Sequence, residues 1–336
     1  MKIRKTIAVL LIIVMCFALV ACGDSVGGNE HSSANGKNSN VISQSGNDKT
    51  ASANTTPLLY KVTDKKGNVA WLFGSIHAGA DYFYPLPDYV LNAFDNADSL
   101  AVEFDIVAFE NDLTAAAKML EKFVITDGRN IKDFLPSGVY EDAKQILTEN
   151  GYYNIMFEYY MPVLWMSLID EFLYEKIDVK IDLGIDKHLI DRAYEKNKEI
   201  LDVESAELQY NMLSGFSDML QAFLLEQTIE GYKNLEESKK EFDEMLKIWS
   251  KGDEKALAKI LGEDVEFDTE DEKKLYNEYN NAMLVERNKN MTDWAENTLK
   301  SGKEVFICVG AAHIVGEGAM VETLRARGYT VELIGE

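Results

Sequence analysis

Apolar positions along this chain follow two periodicities, and the two are segregated by position. Residues 58–62 and 69–73 are short apolar runs flanking the turn-type segment Lys65-Lys66-Gly67-Asn68, so they read as a strand hairpin. A loop holding Tyr82, Pro85 and Pro87 leads to a short helix over 88–97, then to an alternating strand over 99–104. From residue 106 the spacing becomes helical. Segments 109–123, 136–150, 152–176 and 185–196 precede one strand at 199–203, and helices resume over 206–232, 236–249, 253–261 and 270–299. The chain closes with strand 304–309, helix 317–327 and strand 329–334. This order predicts an α/β (α+β) fold over 57–336, its sheet contributed by both ends, with a helical insertion over about 106–300.

The first 56 residues are of another kind. Lys2, Arg4 and Lys5 precede an apolar stretch at 7–19 that is too short to span a bilayer comfortably. It ends in Leu19-Val20-Ala21-Cys22, which resembles a bacterial lipobox. The resemblance implies a signal peptide over 1–21, cleavage before Cys22 and a diacylglyceryl group on its sulfur; an ordinary signal peptide is the alternative. Two acyl chains suffice for stable anchoring. Residues 22–56 are rich in Ser, Asn, Gly and Thr, a composition that cannot bury a core and reads as a flexible tether reaching about 30 Å. The expected location is extracytoplasmic, lipid-anchored at the membrane.

Charge and cysteine usage narrow the partners. A net charge of −23 excludes a phosphate-binding face, so nucleic acid is not an expected partner, and it disfavours lying on anionic lipid. Anchoring falls to the lipid. With Cys16 and Cys22 assigned to the leader, Cys308 is left alone in the domain, where its apolar strand context predicts burial.

Candidate chemistry concentrates at strand ends. Gly74-Ser-Ile-His77 and Gly310-Ala-Ala-His313 each follow an apolar run, and a glycine there would let the chain bend and present the histidine at the sheet's carboxyl edge. Glu103 and Glu204 close two further strands. Two imidazoles and a carboxylate suit a hydrolytic metal with an open water position; the same groups could also act metal-free as a His/Glu acid–base pair. The second carboxylate, Glu204, would serve as general base or as the partner that fixes a histidine tautomer, or could simply favour a helix N-terminus, and Asp105 competes with Glu103 for the role of working acid. Arg287 could hold a substrate carbonyl or carboxylate, or be an ordinary ion-paired helix residue. His188 reads as exposed, Asp186 as an N-cap, and the aromatic run 152–165 as core rather than groove.

In order along the chain, Leu72-Phe-Gly-Ser-Ile-His-Ala-Gly79, Pro85-Leu-Pro87, Ala101-Val-Glu-Phe-Asp105, Gly184-Ile-Asp186, Asp202-Val-Glu-Ser-Ala-Glu-Leu-Gln209, Glu286-Arg-Asn288 and Val309-Gly-Ala-Ala-His-Ile-Val-Gly316 resemble the TraB/GumN family. That family includes the Tiki proteins, membrane-tethered, metal-dependent proteases with two essential Gly-x-x-His motifs. The resemblance implies His77, His313 and Glu103 as metal-site residues, with Glu204 and Arg287 at further family positions. It also implies Mn²⁺ or Co²⁺, with Zn²⁺ admissible, and a fold shared with erythromycin esterases and ChaN-like proteins. The expected function is a lipid-anchored, metal-dependent peptidase acting on peptides at the cell surface. The alternatives are a peptide- or cofactor-binding lipoprotein without turnover and a metal-free esterase-like hydrolase. Substrate and oligomeric state are not fixed by these residues.

Overall fold

The apolar runs from both ends of the domain pair into one sheet. In the computed structural model, which describes residues 55–261 and 265–335, β1 (Leu59–Thr63) and β2 (Val69–Ser75) form the expected hairpin. Its turn is held by Asp64, whose carboxylate accepts from the backbone N–H groups of Lys66 and Asn68, and Gly67 supplies a φ of 90°. The signal peptide, Cys22 and nearly all of the tether lie outside the described residues. β3 (Ser99–Val102), β4 (Glu199–Asp202) and β5 (Val305–Gly310) complete a parallel group with β2, and β6 (Thr330–Ile334) pairs antiparallel with β1. The strand order is β4-β3-β5-β2-β1-β6, so the last third of the chain supplies a central strand beside the first. Every residue of β5 is buried, Cys308 included, which is why its sequence is one unbroken apolar run.

Several helices are shorter than the periodicity suggests, and most of the breaks have a local cause. α1 (Asp88–Asn96) matches its expected position. The helix expected over 109–123 is split into α2 (Ile106–Glu110) and α3 (Leu113–Leu120), because the Asp112 side chain caps a new start on the N–H groups of Thr114 and Ala115. After α4 (Ser137–Glu149), the helix expected from residue 152 begins only at Pro162. A proline is welcome at the first helical position but drives the preceding residue out of the helical region, so α5 is Pro162–Ile177. α6 (Ile185–Glu195) follows.

The 206–232 segment divides into α7 (Ala206–Ser214) and α8 (Asp218–Lys233), where the Ser217 side chain accepts from Leu220 N–H. α9 (Leu235–Ser250) and α10 (Glu254–Ile260) fall close to expectation. The long last helix is three pieces: α11 (Glu270–Asn280), a π-helical turn (Asn281–Val285) and α12 (Glu286–Ser301). His313 lies in a one-turn helix, α13 (Ala311–Ile314), that the apolar pattern does not signal. The closing helix, α14, spans Met320–Ala326; left-handed φ values at Gly316 and Gly318 prevent the earlier start at 317. No helix among the described residues is long and apolar enough to cross a membrane.

The insertion packs chiefly where α5 lies along α8, and its buried side chains join those of the sheet in one continuous core. Trp249 of α9 ties it to the sheet by donating its indole N–H to the Gly74 carbonyl at 2.8 Å. One group in that core is expensive to bury. Asp170 of α5 is 4% exposed, and one of its carboxylate oxygens has no donor among the described residues. Burial pushes its carboxyl up to about 7. Between pH 4 and 7 the unfolded chain therefore gives up a proton that the folded chain still holds, and folding stability falls as pH rises through that window. Asp170→Asn removes the titration. Urea unfolding at pH 5 and pH 8 is expected to show the variant gaining ~2–3 kcal/mol on the wild type between the two pH values; an unchanged difference would rule the reading out.

Candidate functional site

All four parallel strands end on one edge of the sheet, and the four predicted strand-end groups collect there. His77 lies two residues past β2, Glu103 one past β3, Glu204 two past β4 and His313 three past β5. Beyond the ladder the backbone pairing continues, Glu204 N–H donating to the Glu103 carbonyl at 2.8 Å. That bond sets the two carboxylates side by side. Like charges so placed repel unless a cation intervenes.

The cation is Arg287, from the first turn of α12, with its side chain only 3% exposed. Its Nη2 donates to Glu103 Oε2 and to Glu204 Oε2, each at 2.7 Å, and its Nε donates to Glu204 at 3.0 Å. Nη1 donates to the Met283 carbonyl at 3.3 Å. Gln209 of α7 donates its amide to both carboxylates, at 2.9 and 3.2 Å. Burial would push Glu103 up, but Arg287, the two histidines and the Gly310 N–H hold its carboxyl well below the usual range. Burial likewise works against the Arg287 charge, and the two glutamates more than restore it.

Each histidine is oriented by a partner. His77 Nδ1–H donates to Asp186 Oδ2 at 2.9 Å, and His313 Nδ1–H donates to Asn288 Oδ1 at 2.7 Å. Because a carboxylate and an amide oxygen only accept, both rings are left with Nε2 as the free position. Burial lowers His77, but the Asp186 carboxylate and Glu103 outweigh it and raise the ring to about 9. His313 is pulled down to about 3 by burial, with Arg287 and His77 adding to the effect, so it is neutral. Its Nε2 stands 3.9 Å from Glu103 Oε1.

The motif glycines act by permitting close approach, and the bend expected of them is not what they supply. Gly74 is still within β2, and Gly310 has a φ of −48°, open to any residue. A Cβ on Gly74 would lie 2.9 Å from Ala311 Cα, so the two Gly-x-x-His loops touch each other there. Gly79 and Gly184 are equally constrained: their added Cβ atoms would sit 1.9 Å from the Leu183 carbonyl oxygen and 2.7 Å from that of His77.

Other expectations sort cleanly. Asp105 is the N-cap of α2, accepting from Ala108 N–H, and also accepts from the Tyr194 hydroxyl, so Glu103 is the acid in the cluster. Asp186 is not an N-cap; Gly184 holds that position, and the Asp186 side chain serves His77. His188 is half-buried against Tyr84, with ring centroids 4.4 Å apart, instead of being exposed. Arg287 donates within the protein from all three of its nitrogens, which makes it a holder of carboxylates. Sequence reasoning left Asp186, Gln209 and Asn288 without site roles. The available signal was positional, since each lies within one of the family-resembling blocks quoted above.

Two imidazoles with Nδ1 tied down and Nε2 free match the way metal-binding histidines are held. Glu103 does not complete that set as it stands. Its Oε2 accepts from Arg287 and Gln209, its Oε1 accepts from Gly310 N–H, and no three His, Cys, Asp or Glu side chains among the described residues are grouped to hold a metal ion. The two histidines therefore keep Nε2 unpaired, and the described residues group no third side chain with them as a metal ligand.

Removing Arg287 isolates two buried carboxylates. Arg287→Ala is expected to cost about 3–5 kcal/mol in denaturant unfolding, well above the effect of Glu204→Gln, which leaves the guanidinium paired with Glu103. Equal losses for the two variants would show that the guanidinium is not the common holder.

The chain is similar to the uncharacterized protein YbaP of Escherichia coli (strain K12), 24% identical over 258 residues covering 76% of this chain and 87% of YbaP. Shigella flexneri YbaP matches with the same identity and coverage. No solved structure gives a significant match. The model of the TraB/PrgY/gumN family matches residues 58–333, from the first strand of the sheet to the last, and the chain belongs to that family.

Proposed function

We propose that this protein is a hydrolase of peptides at the cell surface, lipid-anchored through Cys22, with a divalent metal at His77 and His313. The observation that carries the reading is the matched pair of anchored imidazoles, each presenting Nε2 on the sheet edge beside Glu103. Mn²⁺ or Co²⁺ is the leading choice and Zn²⁺ is admissible, since imidazole nitrogen suits all three. Such an ion would supply a water made nucleophilic at neutral pH. The peptide preference rests on the resemblance to membrane-tethered proteases, and the anchor rests on the lipobox-like Leu19–Cys22.

The chain's own groups have distinct parts. Asp186 and Asn288 fix the imidazole rings, so that their Nε2 atoms keep one direction. Glu103 stays anionic because Arg287 is beside it, and Oε1, facing His313, is free to accept a hydrogen bond from a water at the sheet edge. A carboxyl held that low is a poor proton acceptor, so its part is to orient water and offset positive charge. Glu204 fixes the guanidinium from the other side, and Gln209 holds both acids at a constant separation.

A second reading is favoured by the hydrogen bonds that Glu103 already accepts from Arg287, Gln209 and Gly310: hydrolysis without metal, the imidazoles handling protons on a water that Glu103 orients. Both readings are separated by one assay. The chain from residue 22 onward is incubated with a peptide library, with and without EDTA, then with added Mn²⁺, Co²⁺ or Zn²⁺. The metal reading expects cleavage that EDTA abolishes and Mn²⁺ or Co²⁺ restores. It also expects at least a hundredfold loss of kcat/KM in His77→Ala and His313→Ala, with unfolding midpoints retained. EDTA-resistant cleavage selects the metal-free hydrolase. Peptide capture without cleavage under every metal, unaffected by the histidine variants, would identify a binding lipoprotein instead.

A further inference from the structure

One surface is apolar, charge-free and rigidly held, and it lies outside the catalytic cluster. Tyr152, Ile155, Met156 and Tyr159 are 43%, 61%, 61% and 51% exposed, four large apolar side chains within eight residues. Singly scattered exposed hydrophobics are ordinary; a run of them is a patch. Between Glu149 and Asp170 the sequence contains one charged residue, Glu158, in a chain that is 27% charged. That residue is buried, so the loop presents no charge of its own to solvent.

The burial of Glu158 is what stiffens the patch. Its carboxylate accepts from the hydroxyls of Tyr140 and Tyr153 at 2.7 and 2.8 Å and from Lys132 Nζ at 2.9 Å. The backbone on either side is also tied. Ile125 N–H donates to the Tyr159 carbonyl, Met161 N–H donates to that of Phe123, and the Asn154 side chain accepts from Met156 N–H. A loop fixed by a buried carboxylate could turn its apolar side chains inward, and this one turns them out. Lys132 and Lys144 stand over the rings of Tyr140 and Tyr153 at 5.0 Å, giving the patch a rim of ammonium groups on aromatic stems.

We infer that the Tyr152–Tyr159 patch docks the domain on a lipid bilayer. Tyrosines with one polar tip, aliphatic tips between them and lysines at the rim form the composition that settles at the headgroup boundary. A chain of net charge −23 is repelled by anionic lipid, and this loop adds no exposed carboxylate to that repulsion. A bilayer anchored at Cys22 is within reach: the 33 residues from 22 to 54 can span at most about 115 Å. The inference rests on the anchored reading for the nearness of the membrane and is independent of any hydrolase activity.

The test uses the chain from residue 22 with Cys22→Ser, which contains every described residue and no acyl chain to mask the patch. Partition onto sucrose-loaded phosphatidylcholine vesicles is measured by sedimentation. The unlipidated chain is expected to co-sediment. Ile155→Asp with Met156→Asp is expected to lower partition at least tenfold at an unchanged unfolding midpoint. Lys65→Ser with Lys66→Ser, which shifts net charge equally at the exposed hairpin turn, is expected to leave partition unaltered. Absence of wild-type binding, or equal binding by the double-aspartate variant, overturns the proposal. So does a concentration-dependent dimer that this variant dissociates, since the patch would then be a contact between copies of the chain.

Discussion

The structure depends on one guanidinium. Glu103 and Glu204 are brought together by parallel pairing of β3 and β4, and backbone bonding beyond the strands keeps their main chains adjacent. Without Arg287 two negative charges would share a buried space, an arrangement costing several kcal/mol. The need for that cation fixes where α12 must lie, across the carboxyl edge of the sheet. It also accounts for the π-helical turn. In that turn the Asn281 carbonyl accepts from Glu286 N–H five residues on, which shifts the phase of the helix just before Arg287. Arg287 and the adjacent Asn288 are both buried after the shift, one serving the acids and the other serving His313.

A division of labour follows from the topology. The strand ends contribute the reactive groups, His77, Glu103, Glu204 and His313. Helices of the long insertion contribute the groups that hold them: Asp186 from α6, Gln209 from α7, Arg287 and Asn288 from α12. The sheet places four side chains on one edge and holds only Glu103 itself, through the Gly310 N–H. Contact between Gly74 and Ala311 brings the two histidine loops together, and the insertion then locks their rings. Helical elements far apart in sequence therefore meet at a site none of them would define.

The parts of this arrangement legible in the sequence are those governed by local pattern. β5 announces itself as a continuous apolar run because it is buried on both faces, and the four strand-end residues are read from where such runs stop. The holders are not legible in this way. Asp186 and Asn288 sit on amphipathic helices where a polar residue has many ordinary reasons to be, and their partners are 109 and 25 residues away. Helix breaks are intermediate. Pro162 and the Gly215–Ser217 junction carry recognisable chemistry, whereas the π turn at 281–285 is imposed by the tertiary demand for Arg287 at the sheet edge. The glycines were read for the right positions and the wrong property, because close approach depends on a neighbour that the sequence does not name.

Charge balance in the cluster bears on its chemistry. Formally, the cluster holds three carboxylates (Glu103 and Glu204 on Arg287, Asp186 on His77) and one guanidinium, leaving an excess of two negative charges beside two imidazoles. Buried charge of one sign calls for compensation. A proton on His77 supplies one unit, consistent with the raised affinity of that ring for protons, while His313 stays neutral with its Nε2 lone pair available. On the metal reading proposed above, a divalent cation held by His77 and His313 would supply two units in place of that proton; the acids that make His77 hold its proton tightly would then also favour the cation, and proton and metal would compete for the site.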